Sequence, residues 1–134
     1  MKRFEELDHT ADLALRIYGR DMCELYVNAA YAMFHHLAAV EDVRPVLREQ
    51  VCVEGADPES LLVNWLNELL YLHDTQGRIY CAFDILALSL QRLQAIVFGE
   101  ESHAVHTIIK AATYHDLFIR HTDQGYVASI VFDV

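Results

Sequence analysis

The chain has 134 residues, 54% of them apolar, and sets ten basic against twenty acidic side chains for a formal net charge of −10. A chain of that length fits one domain, residues 1–134, with one sizeable core, and two domains are not expected. No run of about 18 apolar residues occurs, which excludes a membrane-spanning helix, the opening M-K-R-F-E-E-L-D-H lacks the apolar stretch of a signal peptide, and the acidic excess sets most of the surface against bare phosphate backbone.

The expectation is therefore a cytoplasmic protein that does not bind nucleic acid by itself. Its acidic excess suits a cation site or a basic protein partner, and equally suits plain solubility. Cys23, Cys52 and Cys81 are too widely spaced for a C-x-x-C motif, and an odd count does not make a disulfide framework. They read as reduced core residues.

Taken in chain order, A-D-L-A-L-R-I-Y-G alternates Leu13, Leu15 and Ile17 on one face with Ala14, Arg16 and Tyr18 on the other, a strand that stops at Gly19. Asp21 follows as a helix N-cap with Glu24 three residues on, and apolar positions from Met22 to Leu37 recur with helical spacing. E-D-V-R-P breaks that helix, since Pro45 disfavours helical backbone at the residue before it. A strand through Val51 and Val53 comes next. Asp57 then caps a second helix with Pro58 at its first position, where a missing N–H costs nothing. Leu61, Leu62, Trp65, Leu66, Leu69, Leu70 and Leu72 spread widely enough to require burial on more than one side, under the sheet or against a partner. After a turn ending at Gly77 the chain becomes β-rich, with two strands between residues 79 and 100 and two more joined at Asp123-Gln124-Gly125. The expected architecture is α+β in two layers: a mixed, mostly antiparallel sheet of about six strands with two helices on one face.

Asp12 stands at the start of the first of these strands, and Asp133 beside Val134 at the end of the last. If the two strands are antiparallel neighbours, both acids and a terminal carboxylate on Val134 converge. Three anionic oxygen groups so placed raise a pKa or recruit a hard cation, calcium, magnesium or manganese and not zinc. Two solvated acids at strand ends is the alternative. Lys110 opens K-A-A-T-Y-H, in a chain with few lysines, either as an ion pair or as a partner contact. Eight histidines, His35-His36 and His103-x-x-His106 among them, lack zinc-site spacing. Pairing Cys52 or Cys81 with His115 or His73 fails as nucleophilic catalysis, because an apolar setting keeps a thiol protonated. No glycine-rich phosphate loop is present.

Together, H-T-A-D, V-N-A-A-Y-A-M-F, W-L-N-E-L-L-Y-L-H-D-T-Q-G, K-A-A-T-Y-H and the closing V-F-D-V resemble, in order and spacing, the archease family across nearly the whole chain. The resemblance implies a small α+β protein that is not an enzyme and has no catalytic residues of its own. It implies an accessory role for an RtcB-type RNA ligase in tRNA splicing and RNA repair, promoting guanylylation of the ligase and multiple turnover, with tRNA met only through the ligase and no membrane. Carried over by residue, it makes Asp12, Asp133 and Val134 metal ligands, calcium foremost with magnesium or manganese as alternatives, and Lys110 the activation residue. Between Gly99 and Lys110 the chain is shorter than the family's loop and lacks its usual proline and glycine. A chaperone-like adaptor for RNA-processing proteins, using the second helix as its contact surface, is the second expectation, and a metal-dependent hydrolase the third.

Overall fold

The structure is a computed structural model and describes residues 2–8 and 12–134. Three residues of the H-T-A-D stretch, His9, Thr10 and Ala11, lie outside the described residues. In chain order the elements are β1 (Phe4–Leu7), β2 (Leu13–Gly19), α1 (Met22–Leu37), a 3-10 turn (Val40–Asp42), β3 (Leu47–Glu54), α2 (Pro58–Gln76), β4 (Arg78–Leu88), β5 (Arg92–Glu101), β6 (Ala111–Thr122) and β7 (Gly125–Asp133).

Local chemistry sets the helix ends. At α1 the Asp21 carboxylate accepts from the N–H of Glu24 at 2.8 Å, and the Glu24 carboxylate accepts in turn from the N–H of Arg20 at 3.1 Å. The first bond satisfies a donor the helix start would otherwise leave open, and the second ties the preceding residue to the first turn. Asp57 repeats the device at α2 by accepting from the N–H of Ser60 at 2.7 Å. Gly77 closes α2 in the left-handed region at φ 66, where a Cβ is penalised. α1 stops eight residues before Pro45, because Ala38 turns extended and makes an antiparallel bridge with Val105.

The α+β class holds, with seven strands in two fully antiparallel sheets in place of about six strands in one. The four-stranded sheet runs β1-β2-β7-β6 and the three-stranded sheet β3-β5-β4. Both helices reach both sheets, α1 through β2 and β4 and α2 through β6 and β3. This answers why α2 is apolar over so wide an arc: eight of its residues from Leu61 to Leu72 are buried between sheets and α1. The second helix is therefore core, and the expectation that it offers a contact surface is corrected.

Two hydrogen bonds lock the helices together inside this core. The indole N–H of Trp65 donates to the Tyr26 carbonyl at 3.0 Å, and the Tyr26 hydroxyl donates to the Pro58 carbonyl at 2.8 Å. Both side chains are wholly buried, so each polar tip needs its partner. Burial pushes the Tyr26 phenol far above its ordinary value, and it stays a donor. Close sheet contact is purchased elsewhere by Gly99, whose missing Cβ would fall 1.9 Å from the Ile79 carbonyl oxygen beside a register shift of β4 on β5.

The cysteines are corrected as well. Cys23 and Cys52 are exposed and Cys81 is half-buried. Since Val51 and Val53 point inward from β3, the strand's alternation turns Cys52 outward. All three are free thiols, and burial raises the Cys23 and Cys81 thiols above their ordinary value.

Trp65→Phe removes the indole donor and part of the ring volume, and should cost about 2–3 kcal/mol. Urea unfolding should show a lower midpoint at an unchanged slope. The backbone N–H of Ser60 holds the Asp57 carboxyl below its ordinary value of 3.8. A lowered folded-state pKa means that the cap contributes fully above the unfolded value and is lost as pH falls through the folded one. Asp57→Asn, which caps without titrating, should flatten the acid limb of a stability-against-pH curve in that window.

Candidate functional site

The pairing of β2 with β7 builds the site. Their antiparallel register runs from Gly19 opposite Tyr126 to Leu13 opposite Phe132. One step beyond Leu13 and Phe132 stand Asp12, half-buried, and Asp133, exposed. Lys110 joins them through the backbone, its N–H donating to the Asp133 carbonyl at 2.8 Å, and its side chain is exposed. Three of the sequence-derived site residues are thus gathered at one end of one sheet, and Val134 follows directly, 37% exposed.

β6 is the edge strand on this side of the sheet, and an open edge needs partners for its backbone groups. Asn67 of α2 supplies them: its side-chain oxygen accepts from the N–H of Ala112 at 2.8 Å and its amide donates to the Ala112 carbonyl at 3.2 Å. A side-chain amide here takes the place of a neighbouring strand. It clamps the backbone two residues beyond Lys110. Nothing in the apolar reading of α2 singled Asn67 out, and its only sequence signal is an amide in the middle of a leucine-rich helix.

Just past the clamp, β6 departs from its register. Thr113 pairs with Val131 and the next pair is Phe118 with Ser129, so extra residues of β6 loop out between them. The Thr113 hydroxyl donates to the Val131 carbonyl at 2.8 Å and accepts from the N–H of His115 at 3.3 Å. Asp116 sits at φ 53, a region a non-glycine residue seldom occupies, and its carboxylate lies 3.3 Å from the His115 ring. The bulge leaves Tyr114 59% exposed at the end of the same stretch in which Ile108 is 73% exposed. The strand end accordingly carries acids, one lysine and a margin of exposed apolar side chains.

Among the described residues no group of three or more His, Cys, Asp or Glu side chains is placed to hold a metal ion. Asp12, Asp133 and Val134 are the residues that would offer oxygens to a cation at the strand end. These are hard oxygen donors, which fit a calcium-like cation and not zinc. Cys52 on β3 and His115 on β6 lie in different sheets. His35 and His36 lie against Phe4 of β1, with ring centroids 5.3 and 5.6 Å away, and His36 also contacts Glu6 at 3.0 Å.

The site and fold define a class first: a small α+β protein of two antiparallel sheets and two helices whose charged residues gather at the end of a central strand pair. Residues 4–134 match the Archease protein family (MTH1598/TM1083), and the chain belongs to that family. It is 37% identical to the protein archease of Pyrococcus abyssi over the full length of both chains, and 36% identical to that of Methanosarcina acetivorans over 99% of this chain and 97% of the relative. The solution structure of Methanobacterium thermoautotrophicum protein 1598 superposes with a TM-score of 0.81 at 32% identity, covering all of both chains. A crystal structure from Thermotoga maritima, described as an archease and possible chaperone, shares the fold with a TM-score of 0.68 at 20% identity, covering 97% of this chain and 96% of that one.

Asn67→Ala leaves the N–H and C=O of Ala112 without their partners and should cost about 1–2 kcal/mol. Amide hydrogen exchange at Ala112 should accelerate far more than at Ile130 in the middle of β7, which a uniform loss of stability would not produce.

Proposed function

We propose that this chain is an accessory protein of an RtcB-type RNA ligase, promoting guanylylation of the ligase and its repeated turnover in tRNA splicing and RNA repair, and that it is no enzyme itself. The observation that carries this reading is the convergence of Asp12, Asp133 and Lys110 on one strand end, at the positions its family resemblance points to. Such a tip offers charge and fixed geometry, which suits a protein that completes another's active site.

In this reading Asp12, Asp133 and the α-carboxylate of Val134 hold a divalent cation, calcium ahead of magnesium or manganese. When bound, the cation supplies positive charge that offsets three carboxylates. Lys110, held beside Asp133 by its own backbone hydrogen bond, presents an ammonium to anionic groups in the ligase cleft. Asn67 positions that backbone. Ile108 and Tyr114 provide apolar contact around the tip, where protein interfaces draw their affinity. Those two residues also suit a chaperone-like adaptor for RNA-processing proteins, the second reading.

The test follows ligase–GMP formation with an RtcB-type ligase, GTP and manganese. Asp12→Ala and Asp133→Ala, each verified as folded, should lower stimulation at least tenfold, and appending a few residues after Val134 should do the same. Full stimulation by all three would remove the tip from the mechanism. Suppressed aggregation of unrelated proteins without any rise in guanylylation would favour the adaptor.

A further inference from the structure

The outer face of the four-stranded sheet is covered by neither helix, because Leu15, Ile17, Ala128 and Ile130 point the other way into the core. The register sets out what this face displays. Arg16 lies across from Glu5 on one side and Ser129 on the other, with Phe118 beyond Ser129; in the next row Tyr18 and Arg120 flank Val127. Val127 on the central strand is smaller than Tyr18 and Arg120 beside it, and a groove of about 1030 Å³ opens here, lined by Lys2, Arg16, Tyr18, Phe118 and Arg120 with Tyr126 at the end of the central strand. Asp123 is the acid in that lining.

This local charge is opposite to that of the chain. Glu5, the nearest edge carboxylate, is already held by the Tyr18 hydroxyl at 2.5 Å and by Lys2 at 3.1 Å. Among the described residues no carboxylate lies within ion-pair distance of Arg16 or Arg120. The Nε of Arg16 is buried against the sheet with no acceptor, so packing holds this guanidinium in place. The Arg120 guanidinium rests 4.1 Å from the centre of the Phe118 ring. Two arginines outside any ion pair among the described residues, Arg16 facing Glu5 across the register and Arg120 lying over Phe118, combine phosphate contacts with cation–ring pairs against which a base can stack.

We infer that this groove binds a short single-stranded RNA segment, with phosphates on Arg16 and Arg120 and a base on the Tyr18 or Phe118 side. An acidic peptide would use the arginines and leave the rings idle. RNA fits the rim as well, since the Asp123 carboxylate and Gln124 amide offer partners to a 2′-hydroxyl that DNA lacks. The net charge of −10 keeps binding weak without abolishing it, because a groove's local field departs from that of the whole body. The inference stands apart from the ligase reading: along β2, Arg16 lies four residues and Tyr18 six residues from Asp12, about 14 and about 20 Å at roughly 3.4 Å per residue.

The test is fluorescence anisotropy of a labelled six-nucleotide single-stranded RNA with the whole protein, alongside DNA of the same sequence, a hexaglutamate peptide and GMP. Two phosphate contacts predict an affinity that falls about sevenfold between about 50 and 200 mM salt. Arg120→Gln should weaken binding severalfold and halve the salt slope, whereas Phe118→Leu should weaken it about fivefold at an unchanged slope. Asp133→Ala, at the far tip, should leave RNA binding as it is. No RNA binding at the lower salt would overturn the inference, as would wild-type affinity in both groove variants. Equal binding of the peptide, the DNA or GMP would reassign the groove to that ligand.

Discussion

The antiparallel contact between β2 and β7 ties residue 13 to residue 132 and thereby sets the shape of everything between them. Joining strands so distant in sequence carries a loop-closure cost that grows only slowly with length, and it is offset by the full burial of Leu15, Ile17, Ala128, Ile130 and Phe132. With this pair in place, β1 and β6 can only add at its two margins. β6 can then meet α2 through Asn67. The acids at the strand end are brought together by that same register, so the site is a by-product of the closure that makes the core.

A second constraint sits between the helices. Trp65 and Tyr26 fill the space where α2 crosses α1, and each uses its polar atom to satisfy or engage the other helix's backbone. Hydrophobic burial alone is non-directional. The two hydrogen bonds select one arrangement of helices that have sheets on both sides, which is why an indole and a phenol occur there in place of more leucines.

Much of this was legible in the residues. Alternation at Leu13 to Ile17, the caps Asp21 and Asp57, Pro58 at the first turn and Gly77 at the last all state local rules that the fold obeys. The meeting of the two acidic strand ends was legible only on the condition that the first and last of the strands read there pair antiparallel, and it is the register of β2 on β7 that supplies this condition. Other features depend on neighbours that periodicity does not name. F-E-E-L is short and half acidic, and it becomes β1 only because β2 offers it an edge. Burial on one face does not say whether one sheet or two provide it. Cys52 looked like core because its neighbours Val51 and Val53 are apolar, yet strand alternation places it on the opposite side. The looped-out Tyr114 to Leu117 segment reads as ordinary strand until Asp116 takes a positive φ. The arginines on the outer sheet face were hidden by a net charge that averages over the whole chain.

The same strand pair that holds the acids at one end holds Arg16 toward its middle and the Arg120-bearing groove at the other. Side chains of opposite charge thus lie along one strand pair, the two aspartates beyond Leu13 and Phe132 and the arginines from Arg16 onward. A charged group approaching one end of that pair meets a local field unlike the one at the other end, and the difference fades as salt shortens the screening length.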